Sequence, residues 1–546
     1  TLQMFGGITV SEPITLNGDG NASLGALNFL SGNNTYSGTI TLGSDTSVKS
    51  SSGNQTISGS INGSHDLTIT TAGTWTQSGE IGGVTPLTNY SLNADLNNVT
   101  LSGDHQVAGP ISIYGGDIIV SENITSTLSG ADVLLKASKD IVLEASKIIT
   151  TNGGGVIIWS NSDGENTFGG SFLKQASGIS TNGGHMWIGG GGSSTTWNGL
   201  IVGDGYAVSG SSVSSGITNI YGSGNSYNSG INLYEVSLLS GGGNIYMAGQ
   251  RNITSGYGAG IVNYSGAGGT LIDAGSGTVT IKGDNTGNGT LVPGIMTGLR
   301  AANYPGSSFV VQSNNVSETN AITIEGTTSA GSETAGILIE GKSRLLSKAT
   351  ISGGGIAVVG TSDDNGNAIA IGRASYDSNA VFDILSASGA IAINVGNYAI
   401  DIPRSNYKFN IGSIAADSDV ASTTANVLIT SNNLNWANDV PVRTTGRLNI
   451  TPTINNSFSS TLNTSSLSYY GITGLTLGNS TNTSGVIFDS TTNIAGPISI
   501  YGGNITLSNS LTASGTLLLQ SSGAVTQAAA VSATTLSLQG SGTFTL

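Results

Sequence analysis

Hydrophobic residues in this chain alternate with small polar ones over very short stretches. "DLTITT" (Asp66–Thr71), "GTVTIKG" (Gly277–Gly283) and "GAIAINVG" (Gly389–Gly396) share this form. Alternation over four to six positions, bounded by Gly, Asn, Ser or Asp, predicts short strands joined by tight turns. A helix of normal length needs apolar residues at i, i+3, i+4 and i+7 with caps. The nearest approach is "LLKASKDIVLEASKII" (Leu134–Ile149). Its counterpart near the C-terminus, "LLLQSSGAVTQ", carries Gly523 where a helix would suffer, so strand is predicted here too.

The strands recur. "GNIYMAG", "GTVTIKG", "NAITIEG", "GIAVVG" and "GAIAINVG" centre on Ile245, Ile281, Ile324, Val358 and Ile393, at steps of 36, 43, 34 and 35. "ITTNGGGVIIWS" from Ile149 and "ISTNGGHMWIGG" from Ile179 are 30 apart. The nine residues "AGPISIYGG" occur at Ala108–Gly116 and again at Ala495–Gly503, 387 positions on. Both copies are expected at equivalent corners, with Ile111, Ile113, Ile498 and Ile500 pointing inward after a Pro at the strand start. Units this small cannot bury their own apolar face, so neighbours must cover it. A string of β-sandwiches would show a period near 100 residues and Pro-rich linkers. Only 9 Pro are present. The prediction is therefore all-β: a parallel β-helix (β-solenoid) with variable turn loops. Ile, Val, Leu and Ala are expected inside, and Thr, Ser and Asn outside. Coils of roughly 25 residues, about 4.8 Å apart, would make a rod about 100 Å long. Residues 1–546 are read as one continuous solenoid segment. Residues 1–106 end one large repeat unit, 107–493 form a second, and 494–546 begin a third.

Composition narrows the function. Gly is 84 of 546 residues and charged residues are only 9%, against roughly 25% in a typical soluble domain. With 37% hydrophobic residues, the chain has enough apolar surface to order itself. Cysteine is absent, which excludes a disulfide framework. A net charge of −15 argues against nucleic acid and anionic membrane surfaces as partners. No apolar run approaches the roughly 18 residues of a membrane helix, so no membrane insertion is expected in this segment. The chain opens without Met and closes on "SGTFTL" in mid-pattern. It is read as a segment of something longer.

"SGNNTYSGTITLGSDTSVKSSSGNQTISGSINGSHDLTITTAGTWTQSGEIGG" (Ser31–Gly83) resembles the strand repeats of autotransporter passengers. "GAVTQAAAVSATTLSLQGSGTFTL" (Gly523–Leu546) and "AGPISIYGG" are similar to the rods of haemagglutinin-like, two-partner-secreted giant adhesins. The resemblance covers most of the chain as texture and short phrases. It implies a right-handed β-helix exported to a bacterial surface or released from it. The N-terminal secretion module and the C-terminal barrel of these families are not evident, so the export route stays open.

Candidate chemistry is sparse. "GILIEGKS" (Gly336–Ser343) matches the phosphate-loop pattern, with Lys342 for the phosphates and Ser343 for magnesium. That motif needs a loop inside it and a helix after it. Here "ILIE" alternates like a strand, as does "ITIEG" (Ile322–Gly326), so a core strand with Ile337 and Ile339 on one face is expected, with no nucleotide. His65, His105 and His185 lack partners at metal-ligand spacing and are expected in solvated turns. "KGDNTGNG" (Lys282–Gly289) and "TSDDNGNA" (Thr361–Ala368) resemble calcium loops but lack the full oxygen-ligand pattern, so ordinary turns are expected. Asp163 and Glu165 form a local acid pair two residues apart, without a required catalytic geometry. Sequons at Asn123, Asn252 and Asn504 follow from a composition rich in Asn, Ser and Thr. No catalytic residue, metal or cofactor is assigned.

Seven of the 17 Tyr fall within Tyr206–Tyr264, just after Trp159, Trp187 and Trp197. Tyr246 alternates with Ile245 and Met247, which places it outside. Tyr221, Tyr227 and Tyr257 sit among Gly, Ser and Asn. These four are the candidate contact surface, because an exposed Tyr offers a flat apolar face and a hydroxyl. The expected function is a non-enzymatic, adhesive extracellular rod of a bacterial surface. Its partners would be surface glycans, other cells, or copies of itself in filaments or bundles. The alternative is a β-helix that binds or cleaves polysaccharide, for which carboxylates from different coils should converge in one cleft.

Overall fold

The computed structural model describes residues 1–164, 169–197, 200–205, 207–209, 229–252, 258–264, 266, 268–287, 292–299, 308–329, 335–350, 353–362, 367–373 and 379–546. The chain is all-β, and its strands stack in parallel as a β-solenoid. Among the described residues no helix is long and apolar enough to cross a membrane. Two compact units form: Thr1–Val262 with Thr270–Gly275, and Asn263–Gly269 with Ser276–Leu546.

In the first unit each complete coil contributes three short strands. One ladder runs through Leu67–Thr71, Tyr90–Asn93, Ile111–Gly115, Val133–Ala137, Val156–Trp159, Met186–Trp197 and Ile245–Arg251. A second runs through Trp75–Gln77, Val99–Leu101, Ile118–Val120, Ile141–Leu143, Ser171–Leu173 and Ile231–Tyr234. The third runs through His105–Val107, Ile124–Ser129, Ile148–Asn152, Gly178–Ser180, Ser237–Leu239 and Thr270–Asp273. The expected partnership of Ile149 with Ile179 is present in register. Among the described residues one pair departs from the parallel rule. Met186–Trp197 runs on from its ladder position and pairs antiparallel with Leu200–Gly205.

The second unit shows why the strand spacing in the sequence was informative. Ile281, Ile324, Val358, Ile393, Ile429, Ile450, Leu477, Ile500 and Leu519 are successive partners in one column. None is more than 4% exposed. A fully buried aliphatic side chain contributes about 1.5–3 kcal/mol, so every position of this in-register column adds to the core. Side chains alternate across a strand, and slipping one residue would turn the whole column outward.

The corners are held by short polar side chains. Asp117 N donates to Asn98 Oδ1 at 3.1 Å, Asp140 N to Asp117 Oδ1 at 3.3 Å, and Gly170 N to Asp140 Oδ1 at 2.8 Å. Each side chain thus takes the N–H of the coil that follows it. Hydroxyls serve carbonyls of their own bend: Thr151 Oγ1 donates to Gly154 O at 2.5 Å, Thr181 Oγ1 to Gly184 O at 2.5 Å, and Ser240 Oγ to Gly243 O. These bonds satisfy backbone groups that a bend removes from the ladder.

The two "AGPISIYGG" copies occupy equivalent corners. Ile111–Gly115 and Ile498–Gly502 are both strands with the same alternating burial, and all four Ile are fully buried. Pro110 O accepts from Tyr90 N, and Pro497 O from Leu475 N, each at 3.1 Å. Pro lacks an N–H to donate, but its carbonyl still serves the ladder. Gly116 N donates to Asn97 O at 2.7 Å and Gly503 N to Ser484 O at 2.8 Å. A Cβ on Gly116 would stand 2.4 Å from Leu96 O, and one on Gly503 2.0 Å from Thr483 O. The phrase therefore repeats because both corners press backbone against the preceding coil. Gly116→Ala and Gly503→Ala are each expected to lose about 1–3 kcal/mol through overpacking. Ser112→Ala and Ser499→Ala, on the outer side of the same strands, should change stability by no more than about 0.5 kcal/mol. Urea unfolding monitored by far-UV circular dichroism measures all four.

Candidate functional site

The tyrosine surface is placed in part. Tyr221, Tyr227 and Tyr257 lie outside the described residues. Tyr246 is on the outer side of its strand, as alternation requires, since Ile245 and Met247 are buried. It is half-buried rather than free. Successive coils put Leu134, Ile157, Trp187 and Tyr246 in one outer column. The Tyr246 and Trp187 rings stack at 6.4 Å with an interplanar angle of 3°. Trp159 meets Trp187 edge-on at 6.1 Å, donates from Nε1 to Gly191 O at 2.9 Å, and carries Lys136 Nζ 3.9 Å from its ring centre. Trp159 and Trp187 are each 2% exposed. This aromatic column is an external packing cluster that builds on Tyr246.

Carboxylates do converge from different coils, around Arg344. Arg344 and Asp383 face each other across adjacent strands, with Asn410 next in line. Arg344 Nε is 3.9 Å from Asp383 Oδ2, its Nη1 3.5 Å from Asp419 Oδ2, and its Nη2 contacts Asp417 Oδ2. Lys348 Nζ lies 3.1 Å from Asp419 Oδ1. Burial pushes the Asp383 carboxyl above its usual range, opposed by the Asn410 hydrogen bond and by Arg344 and Lys408. Asp417 Oδ1 also accepts from Asp419 N at 2.8 Å and Val420 N at 2.9 Å. Val420 in turn packs on Leu346 and Leu385. The charges thus fasten a turn to the outer wall. Arg344→Ala should release that turn, seen as at least tenfold faster amide hydrogen exchange at Asp419 and Val420 with core exchange unchanged. Unchanged protection at those two amides would remove the pinning role.

The phosphate-loop phrase folds as strand. Ala335–Ile339 is buried throughout; Ile337 is 1% and Ile339 2% exposed, and Leu338 between them is covered as well. "ILIE" and "ITIE" are not equivalent strands, however. Ile337 pairs with Ile295 and Ile369, whereas Ile324 pairs with Ile281 and Val358, so they form two different sides of a coil. Glu340 is fully buried and ion-paired with Arg373. Lys342 opens the strand Lys342–Ser347, where a phosphate loop would open a helix. Ser343 is buried and shares a 2.6 Å hydrogen bond with Thr297.

The histidine expectation needs correction at His105. It lies in the strand His105–Val107 at 1% exposure, because its position faces the core. Its Nδ1 is 2.6 Å from Gly103 O and its ring packs on Tyr90 at 5.4 Å. Burial lowers its pKa to about 4, partly opposed by the Gly103 hydrogen bond and by Asp104. His185 is half-buried and accepts from Asn244 N at 2.9 Å. His65 is 3.7 Å from Asp45. Turns were also expected at Lys282, but Val279–Asn285 is a strand there, and Lys282 pairs with Glu325 at 2.9 Å. In the second calcium-like phrase Thr361 and Ser362 end a strand, and 363–366 lie outside the described residues. So does Glu165. Among the described residues no group of three or more His, Asp or Glu is placed to hold a metal ion.

One feature escaped sequence reasoning. A side of the second unit runs through Ile295–Leu299, Ala335–Ile339, Asn367–Ile371 and the later parts of Ile391–Ile402 and Val427–Trp436. The ladder then stops. A separate sheet begins at Leu462–Asn463 and continues through Val486–Phe488, Ile505–Leu507, Ala524–Gln527 and Thr543–Thr545. Between the two lies a cleft of about 190 Å³, lined by Leu434, Asn435, Trp436, Phe458, Thr461 and Asn463 among others. The intervening "PTINNSFSSTLN" (Pro452–Asn463) lacks the alternation of its neighbours, which was the available signal.

Comparison with protein-family models, with curated protein sequences and with solved structures returns no match to this chain.

The buried His105 gives a pH signature. With a folded pKa near 4 against roughly 6.5 unfolded, the unfolded state binds the extra proton between those values. Stability is then full above about pH 6.5, falls as pH drops, and levels off near pH 4. The loss totals about 3 kcal/mol at about 1.4 kcal/mol per pH unit. His105→Phe should show a shallower acid slope than the wild type over that window in urea midpoints.

Proposed function

We propose that this chain is an adhesive structural solenoid of a bacterial surface, exported as in the haemagglutinin-like rods its phrases resemble. The observation that carries the reading is the column from Ile281 to Leu519. It devotes the same buried position of coil after coil to stacking, in exact register. The charged groups that converge between coils are likewise engaged in the frame, as Arg344 is with Asp383, Asp417 and Asp419. Contacts then fall to outward side chains and to the turns, where coil length varies without disturbing the ladder.

The polysaccharide-cleaving alternative rests on the carboxylates around Arg344. Beads coated with the chain should be retained under flow on cells or on immobilised polysaccharide, and the polysaccharide should keep its chain length. No retention on any surface would overturn the adhesive reading. Shortened polysaccharide, with shortening lost in Asp383→Asn, would establish the enzymatic one.

A further inference from the structure

We propose that the cleft between Val427–Trp436 and Leu462–Asn463 is a binding site for one ring of a neutral glycan. The adhesive reading supplies only its biological purpose; the binding itself is argued from the cleft.

The site exists because a ladder is interrupted. Trp436 is in register with Ile402 of the coil before it. On the following coil, Ser459 N reaches Asn432 O at 2.7 Å, and the chain then swings away. Leu462 and Asn463 pair instead with Val486 and Ile487 of the next coil. The wedge left open has an apolar side, from Leu434, Trp436, Phe458, Leu462 and Leu467, and a rim of amides and hydroxyls. Its volume is below the roughly 300 Å³ at which sites for drug-sized molecules begin. It suits one sugar ring of a longer chain.

The polar rim is preset. Asn435 Nδ2 donates to Asp401 Oδ1 at 2.5 Å, and Asp401 is steadied from its other oxygen by Asn367 Nδ2 at 3.1 Å. That fixes the Asn435 amide with its Oδ1 still able to accept. Asn463 is held the opposite way: its Oδ1 accepts from Ser465 N at 2.9 Å, which leaves its Nδ2 as a donor. Among the described residues neither of these two remaining atoms has a protein partner. A cleft lined by an amide acceptor, an amide donor and an indole matches a sugar, whose hydroxyls both give and take hydrogen bonds and whose C–H face is apolar. No Asp, Glu, Lys, Arg or His lines the cleft. Ionised sugars and phosphates would lose their hydration there with no counter-charge, so the ligand class is neutral.

The test titrates the chain with the methyl glycosides of glucose, galactose, mannose and N-acetylglucosamine. Sialyllactose serves as the ionised control, and an acetylated five-residue Thr/Ile/Val strand peptide as the control for edge pairing. Saturation-transfer NMR and indole fluorescence are the readouts. At least one neutral glycoside should saturate in the millimolar range, with Asn435→Ala and Asn463→Ala each weakening it about tenfold. Asn435→Ser repeats the test with a smaller change, and circular dichroism checks the fold of each variant. The proposal is overturned if no neutral glycoside binds, if the variants bind as the wild type does, or if only sialyllactose or the peptide binds. Beads coated with Asn463→Ala that are retained under flow as well as wild-type beads would remove the cleft from adhesion while leaving the adhesive reading intact.

Discussion

Parallel hydrogen bonding from coil to coil is the constraint on which the other features depend. Each strand is short, often three to five residues, and has no stability alone. It is held by a partner before it and a partner after it at the same register. That arrangement forces like to stack on like. An apolar residue that faces inward must meet apolar residues above and below, as the column from Ile281 to Leu519 does. A polar corner meets polar corners, and the Asn98–Asp117–Asp140 series results. Where the bend brings backbone onto backbone, only Gly fits, as at Gly116 and Gly503.

This constraint also explains where exceptions arise. A coil can lengthen freely at a turn if it re-enters the ladder in register. Asp417 and Val420 belong to such a turn, fastened by Arg344 and by contact with Leu346 and Leu385. The aromatic column of Trp187 and Tyr246 is another result: stacking multiplies whatever side chain stands outside as well as inside. Charged side chains on neighbouring coils pair for the same reason, as Lys147 does with Glu122 and Lys174 with Glu144. The ladder fails on one side after Trp436, and the failure leaves a cleft with both apolar and polar walls. In a stacked fold, an interruption of this kind is how a concave site can form.

Burial also sets the chemistry of polar groups on the coils. His105 sits against Tyr90 and is kept neutral by desolvation, despite the nearby Asp104. Asp383 is drawn upward by burial while Asn410, Arg344 and Lys408 pull it down. Neither behaviour needs a ligand; both follow from a polar group withdrawn from solvent.

The strand class, the stacking and several registers were legible in the sequence, because period-two alternation and recurring phrases are local properties. Ile149 with Ile179, and Ile281 with Ile324, Val358 and Ile393, were readable as partners from their flanking residues alone. The corner role of "AGPISIYGG" was readable because two copies carried the same Pro and Gly. His105 was not, since burial depends on which side of a three-residue strand faces inward. The distinct sides occupied by "ILIE" and "ITIE" were hidden by their similar pattern. The convergence of Asp383, Asp417 and Asp419 on Arg344, and the placing of Asn435 and Asn463 on one cleft, join residues from different coils. Sequence by itself determined that the chain stacks. Which outward side chains become neighbours was decided only by the register and loop length of each coil, because those set what stands above what.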